Sequence, residues 1–401
     1  MHPFDLVPPA LEQGLLPLAA LTAVPVPEDH PYARARILLL AAAEQDAVDE
    51  SALLSMAFAS QDTRRDLALV RRVDARQRAT LAALWPSGDD FLRRGLIYAL
   101  LSLDLCAVLA QRLSEGPLRQ GLHFALPEFQ DELYRLANLM MLIDNTPAQQ
   151  LLQGYAEIMP GRPLIACHRH PYDEVRTPLT SDADVFSRLV PRLLRSLCRA
   201  KEAFYLQAAG EAETKEARGL YLELSLLAQQ HATHFGSLMP QCAPMLQLLD
   251  AQYLEAYLYD SCAREEESAA MRQLFLEERD HELAHLHKLC ALAERESGVR
   301  PTLSAFPDPL RLGPSKGYVR DILQSVGLTA QREQYVPVGQ LPQGADFFRY
   351  QQLLCGREDA PSHQVVARLI AQTGSDYRFE IAPHPIDALQ NRQRDNTQVG
   401  R

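Results

Sequence analysis

The sequence predicts a mainly α-helical chain: two up-and-down four-helix bundles in tandem, followed by a small α+β appendage. Three observations lead there. Apolar residues recur at three- and four-residue steps through most of the chain up to about residue 296, the spacing that lines one face of a helix. The breaks between these stretches carry turn residues, as in ASQD, WPSGDD and EGPLRQG. Past residue 296 the composition shifts to prolines, glycines and short alternations, which read as a linker and a different class of structure.

Taken in order, residues 1–32 are a proline-rich N-terminal segment. Residues 33–145 hold four helical patterns: ARARILLLAAAEQDAVDESALLSMAFA, RRDLALVRRVDARQRATLAAL, DDFLRRGLIYALLSLDLCAVLAQRL and EFQDELYRLANLMML. Acidic residues Glu44, Asp74, Asp104 and Glu132 interrupt them and read as caps or solvated positions, with an inward-facing position as the alternative. With no histidine between His30 and His123, this first bundle is expected to lack a metal site. Residues 146–184 form an interdomain loop longer than a passive connection needs. Residues 185–296 form the second bundle. Residues 297–390 are the α+β appendage, in which DILQSVGLTAQREQYVPV reads as helix, glycine stop and strand, HQVVARLIAQTGSDYRFEI repeats that order, and FFRYQQLL is a helix between. Residues 391–401 read as a frayed tail. The two bundles also look like a repeat: LPEFQDELYRLANL at 126–139 aligns without gaps to LEERDHELAHLHKL at 276–289, setting Glu128 against Glu278, Asp131 against His281 and Arg135 against His285.

The second of those segments concentrates metal-ligand chemistry. Glu278, His281 and His285 share one face of a helix, because residues three and four apart are neighbours there, and Leu274, Leu283, Leu286 and Leu289 pack around it. Asp250 precedes Glu278 by 28 residues, with the polar run SCAREEESAA midway. An antiparallel pair turning there carries both carboxylates to one height, roughly 21 Å of helix from the turn. Glu202 precedes His231 by 29 residues, with AAGEAETKEARG between them, and His234 lies one turn beyond. On this reading four consecutive helices place polar residues in one layer, with Glu255 replacing Asp250 if the third helix is rotated.

A carboxylate on the first and third helices, with Glu-x-x-His on the second and fourth, resembles the ferritin-like di-iron carboxylate superfamily, over about residues 190–292. The resemblance implies ligand roles for Glu202, His234, Asp250, Glu278 and His281. It departs at His231, which stands where the family has a glutamate that commonly bridges two metals. One ion, two ions and an altered site are therefore all open, with His285 as an added ligand or an orienting partner. The implied cofactor is iron, with manganese as the alternative, since mixed carboxylate and imidazole ligation suits either. The implied chemistry is O₂ activation by an oxidase or oxygenase acting on a small-molecule metabolite, for which His281→Ala should abolish activity. A metal-handling protein and a scaffold with a degenerate site and no catalysis are the alternatives. Around the site, His168, Arg169 and His170 of the interdomain loop are candidates to cover the cavity or orient a substrate carboxylate, and Tyr205 and Tyr257 to shape it.

Other classes are disfavoured. A formal charge of −11 repels phosphate backbones, so nucleic acid is not an expected partner. No run approaches the ~18 apolar residues of a membrane span, and MHPFDLVPPALEQ lacks the charged region of a signal peptide, so the expected location is cytoplasmic. The seven cysteines are scattered and never in a C-x-x-C arrangement, which reads as reduced thiols. GPSKG falls short of a phosphate-binding loop. The expected partners are O₂ and a small substrate, with a homodimer as an allowed assembly.

Overall fold

The computed structural model describes residues 1–11, 30–85, 90–162, 169–327, 340–356 and 358–396. Among them are twelve α-helices: α1 (Pro31–Leu54), α2 (Gln61–Leu84), α3 (Phe91–Arg112), α4 (Pro117–Asp144), the single turn α5 (Gln149–Leu152), α6 (Val185–Glu211), α7 (Lys215–Leu238), α8 (Pro244–Glu265), α9 (Ala269–Ser297), α10 (Lys316–Val326), α11 (Asp346–Cys355) and α12 (Pro361–Thr373). None is long and apolar enough to cross a membrane. The turn at ASQD and the one after α8 fall where the sequence places them, because their residues supply caps; EGPLRQG is shorter as a break than expected, since α4 begins at Pro117 rather than near Glu128, and residues 86–89 of WPSGDD lie outside the described residues. Ser60 accepts from the Thr63 amide at the start of α2, and Asp90 from the Arg93 amide at the start of α3. Ser268 does the same for α9, which ends at Gly298 with a left-handed φ of 75°.

The chain divides into two compact units, each built from separated stretches. Unit 1 comprises Met1–Gly88, Thr177–Ala200 and Leu238–Arg311; unit 2 comprises Asp89–Arg176, Lys201–Ser237 and Leu312–Arg401. The grouping of helices thus differs from two consecutive bundles over 33–145 and 185–296. Short turns fix which helices form hairpins, but they leave open which hairpins share a core. Here the α1–α2 hairpin joins α8–α9, more than 150 residues away in sequence, while α7 belongs to the same unit as α3 and α4.

Unit 1 is a closed ring of four helices in which α1 packs on α2 and α8, and α9 packs on α8 and α2. Its interior includes Leu38, Leu39, Leu67, Val70, Leu254, Leu258 and Phe275, together with the expected Leu274, Leu283, Leu286 and Leu289. The first half of α6 is tied to α1 by ions: Arg192 and Arg195 to Glu50, and Arg195 and Arg199 to Asp46. The N-terminal segment is anchored too, with the Met1 carbonyl accepting from the Phe306 amide and Phe4 edge-on to His287 at 4.5 Å.

Unit 2 is organised around α4, which packs against α3, α10 and α12. Gly161 passes so close to this helix that a Cβ there would lie 2.0 Å from the Pro127 carbonyl oxygen, so no larger residue fits. The described part of the expected α+β appendage is helical. Among the described residues the only β pairing is an isolated antiparallel bridge between Ile158 and Phe379, and the strand expected near residues 334–338 lies outside them. The alternation in DYRFEI reflects docking rather than a sheet: Asp376 accepts from Tyr134 Oη, and Arg378 is fully buried against Asp376. Residues 391–396 likewise have partners rather than fraying, since Asp395 pairs with buried Arg135 at 2.9 Å.

Candidate metal centre

In the middle of unit 1 every helix of the ring contributes a buried acid. α1 gives Glu44, α2 gives Asp74, α8 gives Glu255, and α9 gives Glu278 and Glu282; none is more than 5% exposed. His285, three residues beyond Glu282, is fully buried with them. Its Nδ1 lies 3.0 Å from Asp74 Oδ1 and 3.3 Å from Glu282 Oε2. One donor atom from each of Asp74, Glu282 and His285 lies within 4.8 Å of the others, the spacing of a group that can hold a metal ion.

The electrostatics show how far this layer is from balance. None of the five carboxylates is ion-paired to a lysine or arginine, and His285 is the single basic partner among the described residues. Burial raises the Glu44 pKa well above the ordinary value, and repulsion from Glu282 and Asp74 adds to it, outweighing the Tyr259 hydrogen bond. Burial and the charges of Glu282, Glu44 and Asp74 do the same to Glu255. Glu278 is pushed up to about 8, by burial first and then by Glu282. Glu282 itself is raised by burial despite the pull of His285. For His285, burial alone would lower the pKa, but Glu282 and Asp74 outweigh it and carry it up to about 10.

Oxygen atoms are left over. Glu44 Oε2, Asp74 Oδ2, Glu255 Oε1, Glu278 Oε2 and Glu282 Oε1 are buried without a hydrogen-bond partner, as are Gln77 Oε1 and His285 Nε2. A buried polar atom left unsatisfied costs about 1–3 kcal/mol, and more when charged, so this many in one layer calls for an explanation. A divalent cation would satisfy both the orphaned oxygens and the excess negative charge. The donor set of carboxylates and imidazole without cysteine fits such an ion, and Asp74, Glu282 and His285 form the group that could hold one.

The sequence-predicted ligands divide between the units. Glu278 and His285 belong to the acid layer. His281 is buried on α9, but its Nδ1 has no partner and the charges acting on it are those of His285, Asp280 and Glu277. The Glu-x-x-His that enters the layer is Glu282 with His285, one turn beyond the expected Glu278 with His281. Asp250 is partly exposed and faces Arg188 at 3.8 Å, so Glu255 supplies the acid of α8. Glu202, His231 and His234 lie in unit 2. There Glu202 is half-buried, His231 Nε2 sits 2.8 Å from Glu128 Oε2, and His234 Nδ1 is 3.9 Å from Glu174. They do not join the acid layer because α7 and the part of α6 that carries Glu202 belong to unit 2, not to the ring that contains α8 and α9.

The remaining candidates have other roles. His168 lies outside the described residues. Arg169 is buried against Glu128 and Glu174, at 3.0 and 2.5 Å, so its guanidinium serves internal carboxylates rather than a substrate. His170 packs near Tyr350, ring centres 5.6 Å apart. Tyr205 donates to Glu132 at 2.6 Å in unit 2, and Tyr257 donates to the Asp308 carbonyl, outside the acid layer. Glu44, Asp74, Asp104 and Glu132, expected as caps or solvated residues, are all at most 2% exposed. Their position inside leucine- and alanine-rich helix faces was the signal that they point inward.

In unit 2 the helix α4 buries acids as well, but with cations. Glu128 accepts from Arg162 and Arg169, both at 3.0 Å, and these with His231 outweigh burial and hold it well below the ordinary carboxylate range. Glu132 is paired with the buried ammonium of Lys201 at 2.7 Å, and Asp131 with Arg135 at 3.1 Å. No family model, curated protein or solved structure matches the chain.

Proposed function

We propose that unit 1 is a ferritin-like metal-binding bundle, and that the chain is a non-haem oxidase or oxygenase acting on a small molecule with O₂. The observation that carries this reading is the uncompensated acid layer, drawn from all four helices of the ring and containing a Glu-x-x-His on α9. The arrangement follows the di-iron carboxylate pattern, a carboxylate on each of two helices and a Glu-x-x-His on each of the other two. Glu44 and Glu255 are the single carboxylates, and Glu282 with His285 is one pair. The other pair departs from the pattern: α2 carries Asp74 and, three residues on, Gln77. One ion is assigned to Asp74, Glu282 and His285. A second, with Glu44, Glu255 and a share of Glu282, has no imidazole and is the weaker site.

Iron is the favoured ion, with manganese next, because hard oxygen donors dominate. Reduced iron in such a site supplies O₂ activation, while the protein holds the ligands in a layer closed off from water by leucines above and below. Unit 2, with its acids internally neutralised, is proposed as a second four-helix bundle without a metal site. The second reading, a metal-holding protein without catalysis, draws on the burial of the layer, since no described feature opens it to a substrate.

Anaerobic reconstitution with ferrous iron, followed by air, tests both readings. The oxidase reading expects bound iron and O₂ consumption that Glu282→Ala abolishes. Bound iron without O₂ consumption would favour the metal-holding reading, and no bound iron would defeat both.

A further inference from the structure

Two side chains of α8 donate to acids of the layer. Tyr259 Oη donates to Glu44 Oε1 at 2.7 Å, and Gln252 Nε2 donates to Glu255 Oε2 at 2.6 Å. Both donors are buried, at 0% and 3% exposure. Each occupies one oxygen of its carboxylate and leaves the other, Glu44 Oε2 or Glu255 Oε1, with no partner. Gln252, Glu255 and Tyr259 follow at three- and four-residue steps, so they stand in one row along α8.

Both donors are neutral. A buried carboxylate held by a lysine or arginine is fixed in place and neutralised in one step, as Lys201 does to Glu132 in unit 2. A phenol or an amide fixes the carboxylate without supplying a counter-charge. Hydrogen bonds of this kind around a metal site set the orientation of the ligands, and their loss commonly costs 10–100-fold in metal affinity.

We infer that Tyr259 and Gln252 are positioning residues, which present Glu44 and Glu255 to a divalent cation through one oxygen each without bringing a counter-charge of their own. The inference rests on the reading of unit 1 as a cation site. It adds that site's orienting groups, and it predicts that a charged donor in their place does the opposite of a neutral one. In Gln252→Lys, an ammonium beside Glu255 supplies from within the chain the charge that the ion otherwise brings.

The test is titration of the full-length, metal-stripped protein with Mn(II), reading free Mn(II) by electron paramagnetic resonance and fold by circular dichroism. The wild type should bind. Tyr259→Phe and Gln252→Met, which keep shape and lose the donor, should each bind at least tenfold more weakly with unchanged helicity. Gln252→Lys should lose Mn(II) binding to this pair of carboxylates while its metal-free form melts at a higher temperature than the metal-free wild type. Tyr257→Phe, whose hydroxyl donates to the Asp308 carbonyl instead, should bind as the wild type does. Wild-type affinity in both Tyr259→Phe and Gln252→Met overturns the inference and leaves the cation site standing. Failure of the wild type itself to bind Mn(II) or Fe(II) removes the site and the inference together.

Discussion

The acid layer of unit 1 and the α4 acids of unit 2 are buried in the same kind of setting, between packed helices, and resolve the cost in opposite ways. In unit 2 each buried acid of α4 meets a fixed cation: Arg162 and Arg169 at Glu128, Arg135 at Asp131, Lys201 at Glu132. In unit 1, Glu44, Glu255 and Glu278 meet neutral donors or none, and Asp74 and Glu282 share one imidazole. A charge taken out of water must be paired or must shed its charge. The α4 acids of unit 2 therefore have their counter-charge in the chain's own sequence, whereas the acid layer of unit 1 must take up a cation from solution or protonate its acids.

The largest effect that can break this contrast lies in unit 2. Lys201→Met strips Glu132 of its one cationic partner among the described residues and should cost about 3–5 kcal/mol, the usual penalty for half of a buried ion pair. Adding Glu132→Gln should restore much of it, and urea denaturation of the single and double variants reads both. A loss below about 1 kcal/mol would show that Glu132 does not depend on Lys201.

Next in size is the response of unit 1 to an added ion. At about 100 times its dissociation constant, a bound ion stabilises the folded state by about 2.7 kcal/mol. The shift should appear in thermal denaturation with Mn(II) or Fe(II) and vanish in His285→Ala.

The pH response has a definite sign. Without a cation, Glu278 titrates at about 8 against an ordinary 4.5. The folded state then holds a proton the unfolded chain has already released, so stability falls as pH rises from 4.5 to 8. His285 is raised from 6.5 to about 10, and its contribution, full below pH 6.5, is lost as pH climbs to 10. Both act together, so metal-free unit 1 should weaken steadily from about pH 4.5 to 10. Glu278→Gln should flatten the part below pH 8, and melting temperature against pH is the check.

The smallest expected effect is at His281. Because its imidazole stands outside the acid layer, His281→Ala should leave the bound metal unchanged, in contrast to the role its spacing from Glu278 suggests.

How much of this was readable beforehand follows from these residues. The helices and their turns were legible, since caps such as Ser60 and Ser268 and the leucine periodicity are local. The presence of a ligand-rich face on α9 was legible for the same reason. Which Glu-x-x-His it used was not. Glu278 with His281 and Glu282 with His285 are one turn apart on nearly one face, and the choice belongs to Asp74 and Glu44. Those lie some 200 residues away, on helices that a consecutive-bundle reading assigns to another domain. Glu255 was legible only as an alternative to Asp250, because the rotation of α8 is set by its packing on α1. Likewise the pairing of Lys201 with Glu132 joins two helices whose contact no local pattern announces.

The most direct measurement of the central contrast is metal content per chain by elemental analysis after iron reconstitution, in the wild type, His285→Ala and His231→Gln. Both histidines are fully buried beside a carboxylate, one in each unit. The account predicts iron in the wild type, the same amount in His231→Gln, and a loss of most of it in His285→Ala. Iron retained in His285→Ala but lost in His231→Gln would place the ion in unit 2 and contradict it.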